Sequence, residues 1–306
     1  MKVLIATDKP FAKAAVDGIK KEIEAAGFEL ALCEKYTEKQ QLLDAVADAN
    51  AVIIRSDIID SEVLAAAKNL KIVVRAGAGY DNVDLDAATK AGVCVMNTPG
   101  QNANAVAELA LGMMVYAVRN LFNGTSGTEL LGKKLGIHAY GNVGRNVARI
   151  AKGFGMEVYA YDPFLSEEVI KAEGITPLAS AEDLYSTCQV ISLHIPATAE
   201  TKKSINFQLL NLMPKGALLV NTARKEVIDE EGLDKMLELR PDFKYMSDVT
   251  PGNHADLSAK YANRYFSTPQ KMGAQTAEAN NNAGVAAAKQ IVDFLKNGNE
   301  TFRVNK

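Results

Sequence analysis

KLGIHAYGNVGRNVARIAKGFGMEVYAYD, residues 134–162, is the stretch that decides the fold. KLGIHAY, at 134–140, is a short apolar run suited to a buried strand. A helical pattern follows over 143–154, with Val143, Val147, Ile150 or Ala151, and Phe154 on one face. EVYAYD, at 157–162, is a second strand. Ala139, Gly141 and Gly144 stand at the three places of a GxGxxG turn, so the motif reads AxGxxG. The first place makes a tight turn after the strand, and Ala serves there if its φ stays negative. Gly141 lets the backbone approach a pyrophosphate, and Gly144 lets the helix lie close to the strand. The helix N-terminus offers free N–H groups and the positive end of its dipole to the phosphates. Asp162, 18 residues after Gly144, closes the second strand. A carboxylate there accepts hydrogen bonds from both ribose hydroxyls and repels a 2′-phosphate, which favours NAD over NADP. A bare AxGxxG carries little; strand, turn, amphipathic helix, strand and terminal acid together predict a dinucleotide site. His138, inside the first strand, is expected to be a buried, hydrogen-bonded side chain.

The same βα alternation extends to both sides. Upstream, VLIA (3–6), AVII (51–54), KIVV (71–74) and VCV (93–95) read as buried strands, with helical patterns over 12–26 and around 61–68. A long helix rich in Ala, Leu and Met is expected over 101–119. The stretch NGTSGTELLGKK (123–134) then interrupts the pattern. Downstream, QVISLHI (189–195), ALLVN (217–221) and KYMSDV (244–249) are further strands, with a helix near 229–238 and a closing helix over 276–296. Continuous apolar strands alternating with helices imply parallel sheets covered on both faces. The fold class is therefore α/β, with two doubly wound parallel-sheet domains. The restart after 123–134 predicts that the second is inserted in the first, with boundaries at 1–98 plus 280–306 and at 99–279.

Composition limits the partners. The 306 residues suffice for two domains of about 150 residues each. With 48% hydrophobic and 23% charged residues, the chain reads as a globular protein. A net charge of −3 argues against a nucleic acid or an anionic membrane as partner. Cys33, Cys94 and Cys188 form neither a disulfide framework nor a metal-binding spacing, and no metal is expected. No signal peptide or spanning segment is legible, so a cytoplasmic location is expected.

Several motifs, in order, resemble the D-isomer-specific 2-hydroxyacid dehydrogenase family over nearly the whole chain. They are RAGAGYDNVD (75–84), NTPGQNANAVAELALGMM (97–114), the fingerprint with YDP (161–163), SLHIPATAETK (192–202) and MPKGALLVNTARKEVIDEEGL (213–233). The resemblance implies a flavodoxin-like substrate domain built from both chain ends and an inserted Rossmann-type cofactor domain. It implies a homodimer formed through the cofactor domains, although the segment between Arg119 and Lys133 is shorter than the usual arm. Within the family the chain most resembles a short form of the phosphoglycerate dehydrogenases. The activity so implied is oxidation of 3-phosphoglycerate to 3-phosphohydroxypyruvate with NAD, in serine biosynthesis. A reductase for glyoxylate or hydroxypyruvate, another D-2-hydroxyacid dehydrogenase, and a non-catalytic NAD-sensing binding protein stand as alternatives.

Site residues carry over by motif. Arg224, in NTAR, matches the catalytic arginine, whose fork can hold a carboxylate and polarise the C2 oxygen. Arg55, Ser56, Arg75, Ala76, Gly77, Ala78, Gly79 and Asn102 match substrate-binding positions, with Arg55 and Arg75 expected to meet a phosphate. Ala139, Gly141, Asn142, Val143, Gly144, Asp162, His194, Pro196, Thr201, Thr222, Ala223 and Asp248 match cofactor-binding positions. The acid/base departs from the family pattern. Asn253 stands where the family's Glu is expected, and TPQKMGAQTAEA (268–279) contains no His. Alignment on Thr268-Pro269 puts Gln270 at the His position, whereas alignment on GAQTAEA puts Lys271 there. Lys271 is preferred, because an amide cannot exchange a proton near neutral pH. The two losses make joint sense: a neutral imidazole has two tautomers and needs a carboxylate to fix one, whereas an ammonium has none. His254, expected in a surface loop, is the next candidate.

Overall fold

A computed structural model describes residues 1–305. Lys306, the last residue of the expected substrate domain, lies outside them. The chain forms two compact units, Met1–Asn102 with Gln275–Lys306, and Ala103–Ala274. These limits differ from the expected ones by four and five residues (98 against 102, 279 against 274).

The first unit holds five parallel strands: β1 (Lys2–Thr7), β2 (Glu29–Glu34), β3 (Ala51–Ile54), β4 (Ile72–Arg75) and β5 (Cys94–Asn97), in the order β2-β1-β3-β4-β5. This is a flavodoxin-like order. Strands β1, β3 and β4 are buried on both faces, which explains their unbroken apolar runs. β2 escapes sequence reading because it is an edge strand with no fully buried residue. Val3, Ile5, Ile53, Ile72 and Val74 pack one face with Ile19 and Ile291, from the helices Lys13–Ala25 and Ala277–Asn297. The closing helix thus belongs to the core of this unit.

The second unit holds seven parallel strands: β6 (Lys134–His138), β7 (Glu157–Tyr161), β8 (Thr176–Pro177), β9 (Val190–Leu193), β10 (Leu218–Asn221), β11 (Lys244–Ser247) and β12 (Tyr265–Ser267). Their order is β12-β11-β10-β9-β6-β7-β8. The order reverses between β7 and β9 around β6, as in a Rossmann sheet, where ligands bind beyond the carboxyl ends of the strands. The helices Ala103–Val118 and Asn142–Gly153 pack with β6 and β7 on one face. β8 and β12, two and three residues long, were too short to be read from the sequence.

Two local expectations fail. Ala139 has φ +77°, not the negative value expected for an alanine at that turn. Left-handed backbone costs an L-residue about 1–2 kcal/mol, so the turn is strained where glycine would not be. Phe154 caps the end of the helix and is 42% exposed, so it does not extend the apolar face. Among the described residues no helix is long and apolar enough to cross a membrane.

Candidate active site

The carboxyl ends of β6, β7, β9, β10 and β11 gather the second unit's site residues. After β6, Gly141 caps the helix Asn142–Gly153, whose first hydrogen bond runs from Arg145 N to Gly141 O. The N–H groups of Asn142, Val143 and Gly144 therefore precede the helical ladder. A Cβ placed on Gly141 would meet nothing within 4 Å, so the backbone there is open to a ligand. A Cβ on Gly144 would lie 2.6 Å from Ala139 O and 3.0 Å from Ile137 Cγ2, which is why only glycine allows this helix to sit on its strand.

Asp162, just past β7, is half-buried. Its Oδ2 accepts from Tyr140 N at 2.8 Å and its Oδ1 from Phe164 N at 2.9 Å. It therefore fixes the fingerprint turn as well as presenting charge beside it. Each oxygen keeps a second lone pair for a ribose hydroxyl. The open backbone at Gly141, the free helix N–H groups and this acid fit a dinucleotide.

After β9, His194 is half-buried, with Nε2 3.0 Å from Ser192 Oγ. Burial first, and the neighbouring His138 second, push its pKa down to about 3. His138 is 8% exposed, lies 3.3 Å from Tyr185 Oη, and is pushed down to about 4 by burial. Both imidazoles are neutral at pH 7. Thr201 bridges its own turn, donating to Pro196 O at 2.5 Å and accepting from Thr198 N at 2.7 Å. After β10, Thr222 and Ala223 are nearly buried, and Thr222 Oγ1 has no partner among the described residues.

These buried histidines make stability depend on pH. Unfolded, His138 takes up a proton near pH 6.5; folded, it does so only near 4. Between these values the unfolded chain binds a proton that the folded chain refuses, so acid favours unfolding. The stabilisation is complete above pH 6.5 and is lost as pH falls toward 4, by about 3 kcal/mol for His138. Urea unfolding measured from pH 7 to 4 should show this slope. His138→Gln should flatten part of it, with His194 supplying the rest; an unchanged slope would refute the assignment.

The two candidate catalytic cations meet at one atom. Arg224 Nη1 donates to its neighbour's carbonyl, Ala223 O, at 3.0 Å, and Lys271 Nζ reaches the same oxygen at 3.4 Å. Asn221 holds this corner, donating to Arg224 O and accepting from Ala223 N, both at 3.0 Å. Two residues 47 apart in sequence (224 and 271) are thus brought together beyond β10. His254 is not in a loop: it opens the helix His254–Tyr261, and its Nδ1 lies 2.8 Å from Tyr265 Oη. The position where the family carries Glu, Asn253, precedes that helix and donates to Glu230 O at 3.4 Å.

Asp248, an expected cofactor residue, follows β11. It is 0% exposed. Its carboxylate is occupied by the loop 268–273, accepting from Thr268 Oγ1, Met272 N and Gly273 N.

In the first unit, the expected substrate residues lie at the carboxyl ends of β3 and β4. Arg55 is half-buried and engaged internally. Nη1 donates to Lys9 O at 2.9 Å and Pro10 O at 3.1 Å, Nη2 donates to Asn280 Oδ1 at 2.8 Å, and the guanidinium lies over the Phe11 ring. Arg75 Nε donates to Arg55 O at 3.0 Å. The Arg75 guanidinium lies where a Cβ of Gly77 would stand, so Gly77, at φ +151°, makes room for it. Ser56 and Ala78 are exposed, Ala76, Gly79 and Asn102 half-buried. Sequence reading missed Asp57, which is 4% exposed and accepts from Asp8 N, Tyr36 Oη and Arg55 N. It also missed Asn82, which donates to Asp57 O at 2.6 Å. These two hold the β3 turn that carries Arg55.

The profile of the D-isomer specific 2-hydroxyacid dehydrogenase NAD-binding domain matches residues 116–269. An NAD-bound 3-phosphoglycerate dehydrogenase from Entamoeba histolytica superposes with a TM-score of 0.89 at 47% identity, over 100% of this chain and 99% of that one. A hydroxypyruvate reductase from Thermotoga maritima is 34% identical over 285 residues, 87% of this chain and 92% of its own length. A D-3-phosphoglycerate dehydrogenase from Methanocaldococcus jannaschii is also 34% identical, over 84% of this chain but 52% of its own length. The chain spans about half the length of the curated phosphoglycerate dehydrogenases it matches. With a matched cofactor domain covering half the chain, and a relative covered almost end to end, the chain belongs to the NAD-dependent D-isomer specific 2-hydroxyacid dehydrogenases.

Proposed function

We propose that the protein oxidises D-3-phosphoglycerate to 3-phosphohydroxypyruvate with NAD, as a step of serine biosynthesis. The observation that carries this reading is the meeting of Arg224 and Lys271 at Ala223 O. A 2-hydroxy acid needs a cation for its carboxylate and C2 oxygen, and a base for its hydroxyl. Arg224 supplies the first through a planar fork. Lys271, as the free amine, takes the hydroxyl proton while the C2–H bond breaks. NAD, when bound, accepts the C2 hydrogen as hydride. The products are the 2-oxo acid, NADH and one proton, held by Lys271. Asn142, Val143, Gly144 and Asp162 hold the cofactor's diphosphate and ribose. His194, Pro196, Thr201, Thr222 and Ala223 border the same edge. In the cytoplasm the chain works as a homodimer through its NAD-binding units, which light scattering would test.

The substrate's phosphate is assigned to Arg75, with Ala76 to Gly79 offering backbone N–H groups to the carboxylate and Ser56 and Asn102 beside them. Arg55 steadies Arg75 through its carbonyl oxygen. Arg75→Ala should raise KM for 3-phosphoglycerate about tenfold or more, since a charge-assisted contact contributes roughly 1.5–3 kcal/mol. KM for D-glycerate should change much less, and equal losses on both would remove the phosphate role. The internal engagement of Arg55 favours a second reading, a hydroxypyruvate or glyoxylate reductase, because it leaves one arginine fewer for a phosphate. NADH formation from D-3-phosphoglycerate, D-glycerate and D-lactate, compared at equal concentration, separates the two.

A further inference from the structure

Arg224 stands on a corner clamped by one buried side chain. Asn221 ends β10 and is 0% exposed. Its Oδ1 accepts from Ala223 N and its Nδ2 donates to Arg224 O, both at 3.0 Å. One amide thus grips both ends of the Ala223–Arg224 dipeptide. Ala223 O, between those ends, is the oxygen that receives Arg224 Nη1. The clamp therefore fixes the backbone that carries Arg224 and the carbonyl against which its guanidinium rests.

The clamp is supported from the next strand. Parallel pairing sets Asn221 beside Ser247 and Leu219 beside Tyr245. Side chains two apart along a strand share a face, so Asn221, Tyr245 and Ser247 lie on one face of the sheet. Tyr245 packs there among Leu219, Val227, Leu233 and Leu237, and Tyr245 and Ser247 are both 0% exposed. Asn221 Nδ2 also donates to Tyr245 Oη at 3.4 Å, and Tyr245 Oη donates to Ser247 Oγ at 3.3 Å. Ser247 Oγ donates to Val249 O at 2.8 Å and accepts from Val249 N at 3.1 Å. The Tyr265 ring stacks on that of Tyr245, with centroids 5.9 Å apart. A buried polar group costs stability unless it finds a partner, and Leu or Phe would fill these places without that demand. Here the polar groups join into one path from the Arg224 corner to the backbone beyond β11.

We infer that Asn221 is the positioning residue of Arg224, with Tyr245 and Ser247 as its support. Together they hold the 223–224 corner so that the guanidinium fork meets the substrate's carboxylate and C2 oxygen in one orientation. This rests on Arg224 having that role in the reaction.

Asn221→Ala and Tyr245→Phe test it, alone and with Arg224→Ala. Activity is read on the better of D-3-phosphoglycerate and D-glycerate. Tyr245→Phe removes one oxygen and keeps the stacked ring, so it decides the matter if Asn221→Ala does not fold. Asn221→Ala should lower kcat/KM about 10–100-fold and Tyr245→Phe about 3–10-fold, because a small misplacement of a binding group costs that much. NAD affinity, read by calorimetry, should stay within about threefold of the native value. In the Arg224→Ala background neither change should cost more than about twofold further, because the group they place is gone. A loss that multiplies fully in that background removes the positioning role and leaves the Arg224 reading intact. Full kcat/KM in both single variants overturns the inference. So does a fall in NAD affinity of more than about tenfold at unchanged kcat, which would give these residues to the cofactor. If Arg224→Ala keeps full kcat/KM, the Arg224 reading fails, and the inference with it.

Discussion

Lys271→Ala is expected to lower kcat by about 10²–10⁴ while NAD still binds, because proton transfer by a placed side chain contributes that much. The neighbouring Gln270→Ala should cost far less, since an amide neither gains nor loses a proton as an acid or base near neutral pH. Steady-state kinetics for both variants, with NAD affinity by calorimetry, decide between the two alignments that the sequence left open. The direction of the pH effect also follows. Oxidation needs the free amine, so its rate should rise with pH. Reduction of the 2-oxo acid needs the ammonium, so its rate should fall. Full kcat in Lys271→Ala, or exchanged outcomes for the two variants, would move the role elsewhere, first to His254. His254 is a weak replacement, because its Nδ1 is already occupied with Tyr265 Oη.

Asp162→Ser should shift the preference between NADP and NAD, as a ratio of kcat/KM, by about 10² toward NADP. A unit charge about 4 Å from another is worth up to about 4 kcal/mol near a protein surface, and exposure reduces that to roughly 2–3 kcal/mol here. The variant should also lose affinity for NAD. The carboxylate holds Tyr140 N and Phe164 N besides its proposed contact to the ribose, and a hydroxyl cannot accept both bonds in the same places. Measured separately, the two effects are a gain with NADP and a loss with NAD. If the native protein already uses both cofactors equally, Asp162 does not discriminate between them.

Much of the architecture was legible because burial leaves a direct trace in sequence. Strands covered on both faces, such as Ala51–Ile54 and Leu218–Asn221, are apolar at nearly every position. The fingerprint was legible because close packing admits one residue type: Gly144 has Ala139 O where its Cβ would be. The edge strands left no such trace, since half-covered chains take mixed residues. The sign of Ala139's φ was not legible either. The turn's demand comes from the strand and helix it joins, and the surrounding structure imposes it on a residue that would not choose it.

The site divides in the same way. Residue types and motif order by themselves determined the cofactor class, the candidate arginine for the carboxylate and the absence of the usual His–Glu pair, because these depend on which groups are present. Only the tertiary structure decided what those groups do next. It spent Arg55 on Lys9 O, Pro10 O and Asn280, and it buried Asp248 under the 268–273 loop. It set Lys271, rather than His254, beside Arg224. A hydrogen bond depends on position to within a few tenths of an ångström, and that position is set by packing among residues far apart in the chain, which no local stretch of sequence encodes.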